Sequence, residues 1–276
     1  MNSYATLLVS QTDAVLTVTM NRPHVRNAQN HTLLEELNAA FRSAADDATV
    51  RVIILAGAGA DFSSGHDLGA ANENAGAEHV NAPTWEERYS ICRRLYLDYT
   101  KAWRDLPKPM IAQVQGHCIM GGLMLALACD FIICADDARF ATRSVRWGAS
   151  SEQYLALPWV IGVPQAKQAL FTGDYLDAPT ALRLGLVNEV VPRAELEAHT
   201  QRLAQRIALQ DPFALRLAKK VCNAVLDIQG QPAHLDAAFE TWALSALRPA
   251  VLERWNAEQS LPAADRIRKR DQKFGD

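Results

Sequence analysis

The sequence predicts an α/β protein: a core with strands, followed by an all-helical tail. Three observations predict it. The chain opens with a strand–helix–strand run; several short apolar segments read as strands buried on both faces; and no strand pattern continues past about Arg193.

The elements follow in order. Thr6–Val9 and Ala14–Met20 read as two strands separated by Gln11-Thr12-Asp13, and Asn21-Arg22-Pro23 ends the pattern because proline cannot extend a central strand. From Thr32, a candidate N-cap, Leu33, Leu34, Leu37, Ala40, Phe41 and Ala44 recur at helical spacing. Val50–Ala56 is a nearly continuous apolar run, expected to be a buried strand, and strand–helix–strand makes a right-handed crossover unit. Gly57 to about Pro83 is polar and rich in Gly, Asn and Ala, and is expected to be a mobile loop. Trp85–Leu106 reads as a helix stopped by Pro107-Lys108-Pro109. Met110–Val114 reads as a strand, Gly116–Gly122 as a turn, Leu123–Ala128 as a helix and Phe131–Cys134 as a strand. The tail holds helices near Ala194–Ile207, Phe213–Leu226, Ala233–Leu247 and Ala250–Ala257, so the composition divides at 1–192 and 193–276.

The bulk numbers exclude several classes. The chain has 276 residues, 49% of them hydrophobic and 21% charged, which is ordinary for a globular protein. A net charge of -3 gives no reason to expect nucleic acid or an acidic membrane as partner. Arg266, Arg268, Lys269, Arg270 and Lys273 gather near the end and read as a solvated helix face. The five cysteines form no C-x-x-C pair, and no signal peptide is visible at Met1 to Ser10, so a reducing, cytoplasmic setting is expected. The longest apolar stretch, from about Ile119 to Ala135, is interrupted by Asp130 and is too short to span a bilayer, which needs about 20 apolar residues. No His/Cys/Asp cluster has metal-ligand spacing, so no metal is expected.

Two glycine-containing turns each follow a buried strand: Gly57 to Leu68, and Val114 to Leu123, which opens into a helix. A tight turn at a helix N-terminus presents main-chain N–H groups and the positive end of the helix dipole. Two such amides converging on one point would bind an oxygen that becomes negative during reaction. Gly57-Ala58-Gly59 suggests a dinucleotide fingerprint, but Phe62 stands where its third glycine belongs; there is also no G-K-[ST] phosphate loop and no G-x-S-x-G nucleophile elbow.

Taken together, the motifs resemble a known family. Asn21-Arg22-Pro23 with Asn27-Ala28, Phe62-Ser63-Ser64-Gly65-His66-Asp67-Leu68, Gln115-Gly116, Gly121-Gly122 and Cys129-Asp130 are similar to those of the enoyl-CoA hydratase/isomerase (crotonase) superfamily. Phe171-Thr172-Gly173, Ala181, Gly185-Leu186-Val187 and Val190-Val191-Pro192 continue the likeness, which runs from about Leu16 to Pro192. The resemblance implies a spiral of ββα units (the ClpP/crotonase fold) with a C-terminal helical trimerisation region, and a homotrimer or a hexamer built as a dimer of trimers. It implies an acyl-CoA thioester as the small-molecule substrate, as in fatty acid metabolism. Coenzyme A would enter as part of that substrate, with no permanently bound cofactor. It places the thioester carbonyl in an oxyanion hole made by the amides of His66 and Gly121. His66 to Gly69, that is His66, Asp67, Leu68 and Gly69, would lie along the CoA arm. Arg22 and Arg26 are weaker candidates for phosphate or adenine contacts.

The sequence departs from that family where the chemistry is most specific. Enoyl-CoA hydratases place two glutamates at positions that fall here on Met124 and Ser144, and neither can act as a general base near neutral pH. Other superfamily members, including some isomerases and hydrolases, use one acid from the loop that follows. Glu152 is the only carboxylate in Gly148–Tyr154, and it is the candidate for acid/base work, with a surface loop glutamate as the plainer reading. His66 could also serve as a base, whereas His117, Asp67 and Arg146 read as structural or surface groups. The expected function is a hydratase/isomerase-family reaction through a thioester enolate, without the two-glutamate mechanism. A hydrolase of the same fold, or an acyl-CoA binder without catalysis, is the alternative.

Overall fold

In the computed structural model the residues described are 4–68, 84–258 and 261–274. The loop expectation at Gly69–Pro83 lies outside them, as does Gly69 as a candidate site residue.

β1 (Leu7–Thr12) and β2 (Val15–Met20) form an antiparallel hairpin whose turn is closed by Asp13 at φ 53°. α1 (His31–Asp46) then crosses to β3 (Val52–Gly57), which pairs parallel with β2. With β4 (Met110–Val114), β6 (Phe131–Ala135) and β9 (Glu189–Val191), these strands make a six-stranded sheet in the order β1-β2-β3-β4-β6-β9. A second sheet of three strands, β5-β7-β8, is built from β5 (His117–Ile119), β7 (Arg139–Ala141) and β8 (Leu176–Asp177).

All six residues of β3 are buried, because the sheet is covered on both sides. Ile53 and Leu55 face a large core that includes Leu33, Leu37 and Phe41 of α1, while Val52 and Ile54 face Leu196 and Ala204 of α7 (Leu196–Ala208). A strand buried on both faces has no alternation of polar and apolar residues, and this explains the continuous apolar run in the sequence.

Several local expectations shift. The N-cap of α1 is Asn30, not Thr32: the Asn30 side chain accepts the Leu33 N–H at 2.9 Å. The stretch expected as a plain turn at Gly116–Gly122 contains β5, and α3 (Gly121–Leu127) begins at Gly121. α2 is α-helical over Trp85–Cys92, π-helical over Arg93–Asp98 and α-helical again over Tyr99–Arg104. The wider turn lets three successive side chains, Leu95, Tyr96 and Leu97, all point inward. Three shorter helices, α4 (Leu157–Ile161), α5 (Val163–Thr172) and α6 (Ala178–Arg183), precede α7, and the longer α8 (Pro212–Ile228) comes after it. The chain continues as α9 (Gln231–Ala246), α10 (Pro249–Ala257) and α11 (Ala263–Asp271).

α11 carries the basic run, and it is not one solvated face. Arg268 and Lys269 are open to solvent, but Arg266 is 2% exposed and donates to the carbonyl of Leu68. Arg270 lies over the Trp147 ring and near Glu258. Among the described residues no helix is long and apolar enough to cross a membrane.

Candidate active site

The first corner leaves the end of β3 and is held by Asn27. Asn27 is wholly buried at φ 52°; its side chain donates to the carbonyls of Ala58 and Asp61 at 2.9 Å each and accepts the Arg22 N–H at 2.9 Å. Its own carbonyl takes the Ser63 hydroxyl at 2.8 Å. Arg22, a weaker candidate for phosphate contact, is instead buried; its guanidinium donates to the Ala28 carbonyl at 2.5 Å and pairs with Asp67 at 2.7 Å. The Asn21-Arg22-Pro23 and Asn27-Ala28 motif is therefore the brace of this corner.

The second corner leaves β4 and is laced to the first through the main chain. Phe62 N donates to Gln115 O at 2.8 Å, Ser63 N to His117 O at 3.0 Å, and Ile119 N to Ser63 O at 3.0 Å. On the other side Gln29 N donates to Gly65 O at 2.8 Å and Asp67 N to Gln29 O at 2.9 Å. Side chains reinforce the lacing: Gln115 Nε2 donates to Gly57 O at 2.6 Å, and Asp61 Oδ1 takes both the His117 N–H at 3.0 Å and His117 Nδ1 at 2.7 Å. Burial alone would raise the Asp61 carboxyl, but these His117 bonds and nearby Arg26 bring it below its ordinary value. His117 is thus a structural group, as its place behind the glycine turn suggested.

The tips of the corners touch. Gly65 has φ +92°, and a Cβ there would stand 2.8 Å from Ile119 O and 3.2 Å from the amide nitrogen of Gly121. At Gly121 a Cβ would stand 2.6 Å from Gln29 Oε1 and 2.7 Å from His66 Cδ2, so main chain closes the Gly65 position, whereas at Gly121 the Gln29 and His66 side chains would have to shift. Between them Met120 holds φ 49°, ψ −109°, a conformation a residue with a side chain seldom adopts, fixed by its N–H to Ala141 O at 2.9 Å. Gly121 opens α3, where no intrahelical acceptor exists for its N–H, and the His66 N–H makes no hydrogen bond among the described residues.

The side chain of His66 lies over Gly121 and against Tyr96, with ring centroids 4.0 Å apart. The residue keeps some exposure, but its Nε2 is shut off from solvent and has no hydrogen-bond partner. Burial first, and the neighbouring His31 second, push its pKa down to about 3. The imidazole is therefore neutral near pH 7 and too weakly basic for efficient proton abstraction there. Tyr96 packs on the imidazole, and the π-helical turn is what brings it here. Trp103 belongs to the core, edge-on to Phe41 at 5.5 Å.

Of the remaining candidates, Asp67 is engaged by Arg22, and the carbonyl of Leu68 is engaged by Arg266. Arg26 is largely exposed, with Asp61 3.7 Å away. Arg146, read as a surface group, has a buried side chain that reaches Asp271 at 3.4 Å, Asp174 at 3.3 Å and the Phe274 ring.

Glu152 is not a surface glutamate. It is 5% exposed, and its Oε1 accepts from the hydroxyls of both Thr142 and Ser144, the latter at 2.9 Å. Its carboxyl therefore reaches the residue on which the second hydratase glutamate falls in the sequence. Burial raises its pKa, and the hydroxyls of Thr142 and Ser144 offset part of the rise. Thr142 directly follows Ala141, whose carbonyl holds Met120, so acid and second corner share one scaffold. Sequence reasoning missed Thr142 as a partner, and only its place beside Phe140-Ala141 could have hinted at it. Met124, at the other glutamate position, is a core residue.

The enoyl-CoA hydratase/isomerase family model matches residues 10–242. EchA13 of Mycobacterium tuberculosis, by name an enoyl-CoA hydratase, is 39% identical over 244 residues, covering 84% of this chain and 77% of that protein. The crystal structure of a probable enoyl-CoA hydratase from Mycobacterium smegmatis is 43% identical with a TM-score of 0.81, covering 87% of this chain and 94% of that one. The crystal structure of an enoyl-CoA hydratase/isomerase from Xanthobacter autotrophicus Py2 is 32% identical with a TM-score of 0.89, covering 99% of both chains.

Proposed function

This chain belongs to the enoyl-CoA hydratase/isomerase family and has its crotonase fold, and from that premise we propose that it moves a proton at a carbon next to an acyl-CoA thioester, with Glu152 as the proton carrier. The thioester carbonyl sits between the N–H groups of His66 and Gly121, which stabilise the enolate oxygen as charge develops there. Two preorganised main-chain donors suit this role because they need no reorganisation at the moment of reaction. Glu152 takes the proton from the carbon and returns it, either to the same carbon or to one further along the chain. His66, Asp67, Leu68 and Arg26 lie along the CoA arm, and coenzyme A comes and goes with the substrate.

The observation that carries this reading is the burial of Glu152 against Ser144. Water addition by the two-glutamate route needs one carboxylate for the water and a second acid for the carbon. With methionine and serine at those positions and one buried carboxyl beside them, the inventory favours carbon-to-carbon proton transfer, the isomerase side of the family. The test offers purified protein 2-enoyl-, 3-enoyl-, 3-hydroxyacyl- and aromatic acyl-CoA thioesters. Turnover of a 3-enoyl-CoA, with a loss of about 100- to 10,000-fold in Glu152→Gln, is expected from the usual weight of general acid–base catalysis. Release of free CoA would instead mark a hydrolase, and tight thioester binding without any turnover would mark a binding protein.

We also infer that the chain assembles as a trimer, or as a hexamer of two trimers, through α8. That helix is turned inside out. Its inward side is polar, with Lys219 donating to Asp130 at 2.9 Å and Asn223 beside Arg104, whereas Phe213, Leu217, Val221, Val225 and Ile228 form an exposed apolar stripe. A stripe of that kind favours a covered surface. Light scattering should give a mass three or six times that of one chain, and a lower mass is expected for Leu217→Glu with Val221→Glu.

A further inference from the structure

We propose that Thr142 and Ser144 are positioning residues for the reaction, acting together through one oxygen of the Glu152 carboxyl. This rests on the reading of Glu152 as the proton carrier and adds what holds it.

Both hydroxyls converge on Oε1, and all three residues are nearly sealed: Thr142 and Ser144 are each 1% exposed and Glu152 is 5% exposed. Two donors on one oxygen restrain the plane of the carboxyl, and in this proposal Oε2 is the oxygen that exchanges a proton with substrate. Ionic partners do not do this work. Arg143 and Arg146 flank Ser144 in sequence but are turned to Asp271, at 2.8 and 3.4 Å, and Arg146 also to Asp174. The influences on the carboxyl are burial first, then the Thr142 and Ser144 hydroxyls and the Glu152 main-chain N–H, with no charged neighbour among them. Tyr154, two residues on, is buried, and burial raises its phenol further, so it stays neutral across the working range.

The backbone explains why these two residues are available. β7 ends at Ala141, whose carbonyl is committed to Met120, so Thr142 leaves the sheet directly beside the second corner. A single turn of 3-10 helix, Ser144–Trp147, then aims the Ser144 hydroxyl back at the same place. Ser144 thus keeps a use at a position where a carboxyl would be crowded by Glu152.

The hydroxyls favour the charged carboxylate, so removing one should make Glu152 harder to ionise. Thr142→Val and Ser144→Ala are expected to move the acidic limb of the kcat pH profile to higher pH. Each should cost roughly tenfold in kcat on that limb, the scale of one lost hydrogen bond to a charged group, with KM within about twofold. Thr142→Ser should restore the parent profile. The substrate is the panel thioester turned over fastest, and the protonated Glu152 carbonyl is followed in parallel by infrared titration against Glu152→Gln. If both profiles superimpose on the parent's while thermal stability falls, the two residues are merely structural and the inference is overturned. If Glu152→Gln keeps full turnover, the proton-carrier reading itself fails, and this inference with it. Should Thr142→Val fail to fold, Ser144→Ala, which removes a single oxygen, decides alone.

Discussion

In the proposed mechanism the two corners work through main-chain N–H groups, and the side chains around them are braces. Glu152 would instead work through a side chain, and its braces, Thr142 and Ser144, are side chains too. The difference governs what each region tolerates. A corner accepts almost any residue where only the amide is used, which is how histidine can occupy position 66. It accepts no substitution where the backbone itself must approach closely, as at Gly65 and Gly116. Around Glu152 the backbone is ordinary and every hydroxyl counts, since a buried carboxyl without donors pays the full cost of desolvation.

Substitutions can break this contrast, and the largest effect is expected at the corners. Gly121→Ala drives a methyl into Gln29 and His66, displaces the amide, and should lower kcat by about 100- to 1000-fold. Circular dichroism matching the parent would show that the loss is local, and a kcat within twofold would refute the role of this corner.

The next effect is in stability. Asn27→Ala leaves the Ala58 and Asp61 carbonyls without donors and should cost roughly 3 kcal/mol in urea unfolding. A cost under about 1 kcal/mol would mean that the main-chain lacing alone holds the corner.

At Glu152 the expected signature is a pH dependence. Its folded pKa lies above the unfolded value, so the folded state binds more protons in the window between the two. The stabilising contribution is complete below the unfolded pKa and is lost as pH rises through the folded one. Thermal midpoints of Glu152→Gln and the parent should therefore converge at low pH, with the variant gaining on the parent as pH rises. A constant offset across the range would show that the carboxyl titrates normally.

The smallest effect is expected within the basic run of α11. Lys269→Ala, which removes an exposed pair with Glu258, should change stability by less than about 0.5 kcal/mol. Arg266→Ala, which strips a buried guanidinium from Leu68, should lower the melting temperature measurably.

The legible parts of the sequence are those whose cause is local. β3 and β4 appear as apolar runs because both faces of the sheet are covered, and the glycine at 65 appears because its φ of +92° and the Ile119 carbonyl leave no room for a Cβ. Asn27 was legible as a motif residue, but its hydrogen bonds to Ala58, Asp61 and Ser63 were not, since those partners lie 31 to 36 residues away. Glu152 was legible as a loop carboxylate and misread as plausibly exposed, because burial of a loop is decided by what packs over it. The split of the basic run failed for the same reason: Arg266 and Lys269 are both basic residues of one helix, and only the neighbour on each face separates them.

Order along the chain was enough to determine the α/β class, the helical tail, the family and the two glycine corners, because each leaves a pattern within a few residues. Tertiary structure alone decided that the corners meet, that His66 is held neutral, and that Glu152 stands at Ser144. Those facts depend on distances between segments far apart in sequence, and on the exclusion of water from the space between them, which no local pattern encodes.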